Sequence, residues 1–412
     1  MGMNNTPAAD RVHIGFFGSR NAGKSSVLNA VTGQELSVVS DVRGTTTDCV
    51  FKSMELLPLG PVVMIDTPGI DDEGELGRLR VRKSYQTLNK TDVAALVIDG
   101  SLGWSPEDEA LWKRIQEKKI PCVVVCNKAD LGKKNLVPLE CPVLSVSALT
   151  GEGIHDLKEC LARLGKPEEN SRRIAGDLVD PMDVVVLVVP IDSSAPKGRL
   201  ILPQQQTIRD LLEAQAVTVV VKETELAKTL ELLGKKPRLV ITDSQAFAKV
   251  SEDTPEDIPL TSFSILFARY KGDLESVVRG AAALDSIKEG DKILIAEGCT
   301  HHRQCEDIGT VKLPGWIRRY IKAEPEFVFM SGTEFPDDLS PYKMIVHCGG
   351  CMLNQREMKY RMKRAADQGI PITNYGILIA CIQGILRRSV QPFPQIAAML
   401  RPDSKGLKNI KK

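Results

Sequence analysis

The stretch Gly18-Ser-Arg-Asn-Ala-Gly23-Lys24-Ser25 fits G-x-x-x-x-G-K-S, and it constrains the fold more than any other part of the chain. Its context carries weight: residues 12–17 are an apolar run suited to a buried strand, and a helical stretch begins at Lys24. A strand that turns tightly into a helix points backbone N–H groups and the positive helix end at one spot, where phosphate oxygens fit. Further short apolar runs at 62–65, 93–98, 122–125 and 143–146 alternate with helical stretches at 106–118 and 154–164. That alternation predicts an α/β fold, a parallel sheet with helices on both faces.

The remaining motifs follow in the order a guanine nucleotide needs. Gly18, Asn21, Ala22, Gly23, Ser25 and Ser26 would line the phosphates, with Lys24 reaching the β- and γ-phosphates and Ser25 ligating Mg²⁺. In Asp66-Thr67-Pro68-Gly69, Asp66 can hold Mg²⁺ through its water shell and the Gly69 N–H can sense the γ-phosphate. In Asn127-Lys128-Ala129-Asp130, the Asp130 carboxylate accepts N1–H and the 2-amino group of guanine, which adenine lacks. Ser147-Ala148-Leu149 closes the base pocket, with a backbone N–H directed at O6. Among residues 44–48, Thr46 is the expected switch threonine on Mg²⁺ and Thr45 the runner-up. Lys24, Thr46, Asp66 and Gly69 stand nearest the chemistry. The ligand is GTP.

A second signature lies far downstream: Cys299-Thr300-His301, then His347-Cys348-Gly349-Gly350-Cys351. Ten cysteines with no apolar leader at residues 1–11 do not suggest a disulfide framework. Cys49, Cys122, Cys126, Cys141, Cys160 and Cys381 sit in apolar or helical sequence and read as small hydrophobes. Cys299, Cys348 and Cys351 stand beside His and Gly, and Cys305 falls outside this compact pattern. Cys299 and Cys348 are 49 positions apart, but each follows an apolar strand, and parallel sheets gather ligands at strand carboxyl ends. Thiolates favour zinc or iron–sulfur centres. A closed Cys₃His zinc site and a 4Fe–4S cluster with an exchangeable fourth position both fit the spacing, and the thiols alone put zinc ahead. His301 and His347 are each candidates for the fourth ligand or for a supporting role, whereas His302 reads as a solvent-facing neighbour.

At 412 residues the chain exceeds one core. Polar sequence at 165–173 and the Pro-containing stretch 253–259 suggest boundaries giving domains at 1–168, 175–256 and 260–412. A net charge of +1 offers no electrostatic footprint for nucleic acid. No run of about 18 apolar residues suggests a membrane span, so a cytoplasmic protein is expected.

The nucleotide motifs resemble those of the translation-factor-related GTPases, most closely the tRNA-modification branch. Ile70 follows Asp-Thr-Pro-Gly where Ras-like enzymes carry a water-orienting Gln, which implies slow intrinsic hydrolysis. Asn21 matches the loop asparagine that ligates K⁺ in that branch, so potassium stimulation is expected; a residue that merely suits the turn is the alternative. With the Cys-x-His … His-Cys-x-x-Cys pattern behind it, the whole chain resembles the FeFe-hydrogenase maturation GTPases (HydF family). The resemblance implies a scaffold and carrier. Cys299, Cys348 and Cys351 would hold a 4Fe–4S cluster, with His301 or His347 shaping the fourth position. A di-iron subcluster precursor would pass to apo FeFe-hydrogenase, a small middle α/β domain would make a homodimer, and two radical-SAM maturases would be further partners. The competing reading is an RNA-modification or ribosome-assembly GTPase with a structural zinc site.

Overall fold

The structure, a computed structural model, describes residues 7–34, 49–70, 74–132, 140–166, 173–191, 200–298, 307–332 and 334–400. The chain divides into two compact units, Met1–Ser171 and Arg172–Lys412.

The first unit is built on a six-stranded sheet. Its strands are β1 (Val12–Phe17), β2 (Val50–Leu56), β3 (Gly60–Asp66), β4 (Val93–Asp99), β5 (Cys122–Asn127) and β6 (Val143–Ser145), in the order β2-β3-β1-β4-β5-β6. All pairs are parallel except β2 with β3. The inner strands are buried almost without interruption because helices cover both faces. Alternation divides them: Ala95, Val97, Val123 and Val125 face one core with Val27, Leu28 and Leu157, while Ala94, Leu96 and Val124 face another with Leu111 and Ile115. Each buried Val, Leu or Ile side chain among them contributes about 1.5–3 kcal/mol. Strand β2 has no apolar run to announce it. It is an edge strand with Phe51 exposed and Leu56 buried, so sequence reasoning passed over it.

The second unit holds two four-stranded sheets. The first contains β7 (Val184–Val188), β8 (Val217–Val221), β9 (Leu239–Thr242) and β10 (Leu260–Ser262), ordered β10-β9-β7-β8. The second contains β11 (Lys292–Ala296), β12 (Glu326–Met330), β13 (Met344–His347) and β14 (Ile372–Asn374), ordered β12-β11-β13-β14. Their strand pairs are all parallel, and one continuous buried core runs through both. Helix Tyr375–Ile382 shows why. Every residue from Tyr375 to Cys381 is buried, and a helix apolar all round needs neighbours on every side. Those neighbours include helices Phe263–Lys271, Leu274–Ala281 and Leu313–Ile321. In the stretch 253–259, Ile258 is buried, and Arg388 donates to the Ser251, Thr254 and Pro255 carbonyls. Helix Tyr375–Ile382 ends just before Gly384, which turns left-handed at φ +74°.

Strands β11 and β13 lie side by side with Ala296 opposite His347, so both carboxyl ends open at the same place. That register brings the start of the segment carrying Cys299 to the segment carrying Cys348.

Candidate nucleotide and cluster sites

Strand β1 ends at Phe17, and helix Lys24–Thr32 starts at Lys24, with the phosphate loop between them. Gly23 sits at φ +87°, and a Cβ there would lie 2.2 Å from Asn127 Nδ2, so the loop requires glycine at this point. Lys24, nearly buried, donates through Nζ to the Ser19 carbonyl at 2.9 Å. Ser25 Oγ donates to Asp66 Oδ2 at 2.6 Å. Asp66 is wholly buried, and its Oδ1 has no hydrogen-bond partner. An orphaned carboxylate oxygen beside a hydroxyl is the donor set that a hydrated Mg²⁺ takes, so the residues fit the ion. Thr67 Oγ1 donates to the Phe16 carbonyl at 2.7 Å and Ser84 Oγ to the Pro68 carbonyl at 2.9 Å, which anchors the loop leading to Gly69. Ile70 is buried with Phe17 and Leu88, where it can orient no water. Thr45 and Thr46 lie outside the described residues.

The base pocket is braced from below. Asn127 Nδ2 donates to the Ala22 carbonyl at 3.0 Å, and Asn127 Oδ1 accepts the Ala148 N–H at 3.1 Å. Of the backbone N–H groups of Ser147-Ala148-Leu149, that of Ala148 is given to Asn127 in this structure. Ser147 Oγ donates to Asp130 Oδ1 at 2.6 Å, holding that carboxylate by one oxygen. Lys128 Nζ donates to Asp99 Oδ2 at 2.6 Å, and Asp99 Oδ1 accepts from Ser101. Burial pushes the Asp99 carboxyl up, but the bonds from Lys128 and Ser101 outweigh it and hold the group below its usual value. Sequence reasoning missed Asp99 and Ser101, whose signal was only a polar pair just past a buried strand. Asn21, exposed at φ +62°, has the left-handed backbone that asparagine tolerates. Ser26 occupies the first helical turn.

At the second site, Cys348 Sγ accepts the Gly298 N–H at 3.0 Å and the Gly350 N–H at 3.4 Å. Gly298 is the last described residue before Cys299; Cys299, His301 and Cys305 lie outside the described residues. Among the described residues no group of three His, Cys, Asp or Glu is gathered to hold a metal. The donor chemistry nevertheless fits a thiolate-bound metal centre, iron–sulfur or zinc, because two N–H groups already point at a cysteine sulfur as they do at a bound thiolate. Burial pushes the Cys348 thiol up to about 11, against the pull of those two N–H groups. A bound cation would offset that burial and favour the thiolate. Cys351 is half-buried at the far end of the loop.

His347 is engaged elsewhere. Arg361 Nη1 meets His347 Nε2 at 3.0 Å, and a guanidinium can only donate, so Nε2 accepts. Nδ1 then carries the proton and donates to the Cys348 carbonyl at 2.7 Å. Burial, helped by Arg361, lowers the His347 pKa to about 3, so the ring is neutral. Of the two roles expected for His347, the geometry favours support of Cys348 over ligation, since both ring nitrogens are bonded. Arg361 itself is fully buried, bound also to Glu357 Oε1 at 3.0 Å and the Gly332 carbonyl at 2.8 Å. Nearby, Tyr375 donates to Glu297 Oε1 at 3.1 Å, and burial holds the Tyr375 hydroxyl well above its usual pKa. Lys271, also buried, donates to three carbonyls of the cysteine loop. Arg361 and Lys271 were missed because charged residues on helices ordinarily face water. Cys122, Cys126, Cys160 and Cys381 are buried, and burial raises the thiols of Cys122 and Cys381.

Three family models match successive parts of the chain. The model of the 50S ribosome-binding GTPase family matches residues 13–128. The Hydrogen maturase F dimerization domain matches 174–272, and the Hydrogen maturase F tetramerization domain matches 275–392. The tRNA modification GTPase MnmE of Synechococcus sp. (strain JA-3-3Ab) is 36% identical over 168 residues, 39% of this chain and 36% of that protein. GTPase Der of Wolinella succinogenes is 34% identical over 188 residues, 42% of this chain and 39% of that protein. The chain thus spans little more than a third of these curated relatives. Among solved structures, Era of Aquifex aeolicus bound to GDP.AlF4- is 20% identical, covering 54% of this chain and 98% of that chain, with a TM-score of 0.35. No helix among the described residues is long and apolar enough to cross a membrane. The alternative of an RNA-linked GTPase with structural zinc is not favoured, since the region behind the GTPase domain matches hydrogenase-maturation domains. With two such domain models together matching more than half of its length behind a GTPase domain, the chain belongs to the hydrogen maturase F family of hydrogenase-maturation GTPases.

Proposed function

We propose that this protein is a cytoplasmic, self-associating scaffold that hydrolyses GTP, holds a 4Fe–4S cluster and carries a di-iron precursor to apo FeFe-hydrogenase. Cys299, Cys348 and Cys351 would hold the cluster, with His301 the candidate for the exchangeable fourth position. When bound, the cluster supplies an iron with a replaceable ligand, where the cargo can attach. The observation that carries this reading is the 3.0 Å bond from the Gly298 N–H to Cys348 Sγ, beside paired strands that end together. The chain's own part is to position the sulfurs and to shield them, with His347 and Arg361 fixing the backbone of Cys348.

At the nucleotide site, Lys24, Ser25 and Asp66 would meet the phosphates and Mg²⁺, and Asp130 the guanine. Thr46 would complete the Mg²⁺ shell. Ile70 leaves the attacking water without a side chain to orient it, which supports slow turnover stimulated by K⁺ at Asn21. Equal GTP hydrolysis rates in Na⁺ and K⁺ would remove the potassium role. GTP turnover would tune association with the homodimer partner, the hydrogenase and two radical-SAM maturases.

The test is delivery. Wild type and Cys299→Ser are each loaded with di-iron precursor and mixed with apo FeFe-hydrogenase. Hydrogen evolution after mixing with wild type, and its loss with the variant, is expected. No activation by loaded wild type would sink the carrier function.

A further inference from the structure

We propose that Lys271 is a positioning residue for the Cys348–Cys351 loop. Its buried ammonium clamps the loop from behind, aims a loop N–H at sulfur and offsets the negative charge of the thiolates and cluster. The charge-offset part rests on the reading of this loop as half of a cluster site; the clamp does not.

Lys271 is the last residue of helix Phe263–Lys271 and is 2% exposed. Its Nζ donates to the Leu353 carbonyl at 2.8 Å, the Cys351 carbonyl at 3.0 Å and the Gly350 carbonyl at 3.3 Å. An ammonium has three N–H groups, and three loop carbonyls converge on it. Carbonyls in a loop that is neither helix nor sheet need partners when buried; the Gly350 carbonyl also accepts the Leu353 N–H at 3.1 Å, and Lys271 adds a partner to all three carbonyls from 79 or more positions away in sequence. The Phe267 ring lies 5.6 Å from the same nitrogen, within the range of a cation–π contact.

Gly350 transmits the clamp. Its carbonyl accepts from Lys271 and from the Leu353 N–H, while its N–H goes to Cys348 Sγ. Its φ of +63° turns the two groups to opposite sides, and a Cβ would lie 2.7 Å from Met358 Sδ. Fixing the Gly350 carbonyl therefore fixes the direction of an N–H bond to sulfur. Fixing the Cys351 carbonyl sets the backbone from which the second sulfur projects. Hydrogen bonds to sulfur and nearby charge both tune a cluster's potential. A positive charge held against this loop favours the thiolate forms and the reduced cluster.

The experiment uses full-length wild type, Lys271→Gln and Lys271→Arg, each cluster-free and reconstituted. In cluster-free protein, iodoacetamide labelling of Cys351 is followed by mass spectrometry. Several-fold faster labelling of Lys271→Gln is expected, and an unchanged rate overturns the clamp. In reconstituted protein, iron retention against a chelator and the midpoint potential by EPR-monitored titration are measured. Lys271→Gln should hold iron about 10- to 100-fold more weakly, as for other groups supporting metal ligands, with a more negative potential. Lys271→Arg should recover the potential more fully than the iron retention, because it restores charge without the three-carbonyl fit. The same potential in wild type and Lys271→Gln overturns the charge role. Should Lys271→Gln not fold, Lys271→Arg labelled as slowly as wild type and equal to it in iron retention overturns the clamp. Wild type that takes up no iron sinks the cluster reading and with it the charge role, and the labelling rates still decide the clamp.

Discussion

The nucleotide site and the cysteine site are held in opposite ways. In the first, the polar groups brace one another through short bonds and leave selected atoms for a ligand: Asp66 gives one oxygen to Ser25, Asp130 gives one to Ser147, and Asn127 ties the phosphate loop to the base loop. In the second, the sulfurs depend on buried cations standing behind them. Arg361 binds His347, which binds the Cys348 carbonyl, and Lys271 binds the loop carbonyls. The lesson is that damage to the first should appear in ligand binding, whereas damage to the second should appear first in folding. A buried charge whose partner is removed is costly, whereas the polar groups of the nucleotide site keep their bonds to one another when the ligand is gone.

The largest effect expected is at Arg361. Replacing it by Met leaves Glu357 buried without its cation and His347 Nε2 without its donor, and should cost about 3–5 kcal/mol in denaturant unfolding of the second unit. Guanine-nucleotide affinity should not change. Loss of nucleotide binding in Arg361→Met would break the distinction between the sites.

Asp66→Asn should behave in the reverse manner. It keeps the shape that receives Ser25 but removes the charge beside the Mg²⁺ position, and should lower GTP turnover by about 100- to 1000-fold with little change in the unfolding midpoint. Phosphate-release assays at saturating Mg²⁺ measure it, and turnover near wild type would contradict the assigned role.

Gly23→Ala is a milder test of the same site. The left-handed backbone and the 2.2 Å approach to Asn127 should impose about 1–3 kcal/mol of strain, read as weaker binding of a fluorescent GDP analogue. Unaltered affinity would show that the loop yields more easily than its geometry implies.

The smallest effect should come from Asp99. Its folded pKa lies below the unfolded one, so its contribution is present above the unfolded pKa and is lost as pH falls through the folded value. Since Lys128 is a third exposed, the pair is worth about 0.5 kcal/mol. The stability gap between wild type and Asp99→Asn should be measurable at about pH 6 and shrink as pH falls through the folded Asp99 pKa, below the ordinary carboxylate value. A gap that persists in acid would assign it to packing instead of charge.

Legibility in the sequence follows the same division. Strands β1, β4 and β5 are readable because a parallel strand buried on both faces must be an apolar run. Strands β10 and β14, three residues each, are too short for any period to register, and both run directly into helices. Lys24, Asp66 and Asp130 are readable because phosphate, metal and base demand set residue types at local spacing. The cysteines announce themselves by company, Gly and His. Their supports do not. Glu357 and Arg361, four apart on a helix, look like a solvent-facing pair, yet Arg361 is wholly buried. Lys271, at a helix end, looks like a helix-dipole partner and proves to be an internal clamp. Residue type and spacing record what a ligand requires; which charges the fold encloses emerges only when distant segments meet.

The loop beginning at Cys348 is proposed to hold an iron–sulfur cluster in a GTPase. This is tested most directly by anaerobic purification of wild type and Cys348→Ser, with metal and sulfide analysis and EPR after reduction. Wild type should carry about four irons and four sulfides per chain, with a 4Fe–4S signal lost or altered in the variant. One zinc per chain and no iron, persisting after attempted reconstitution, would contradict the proposal.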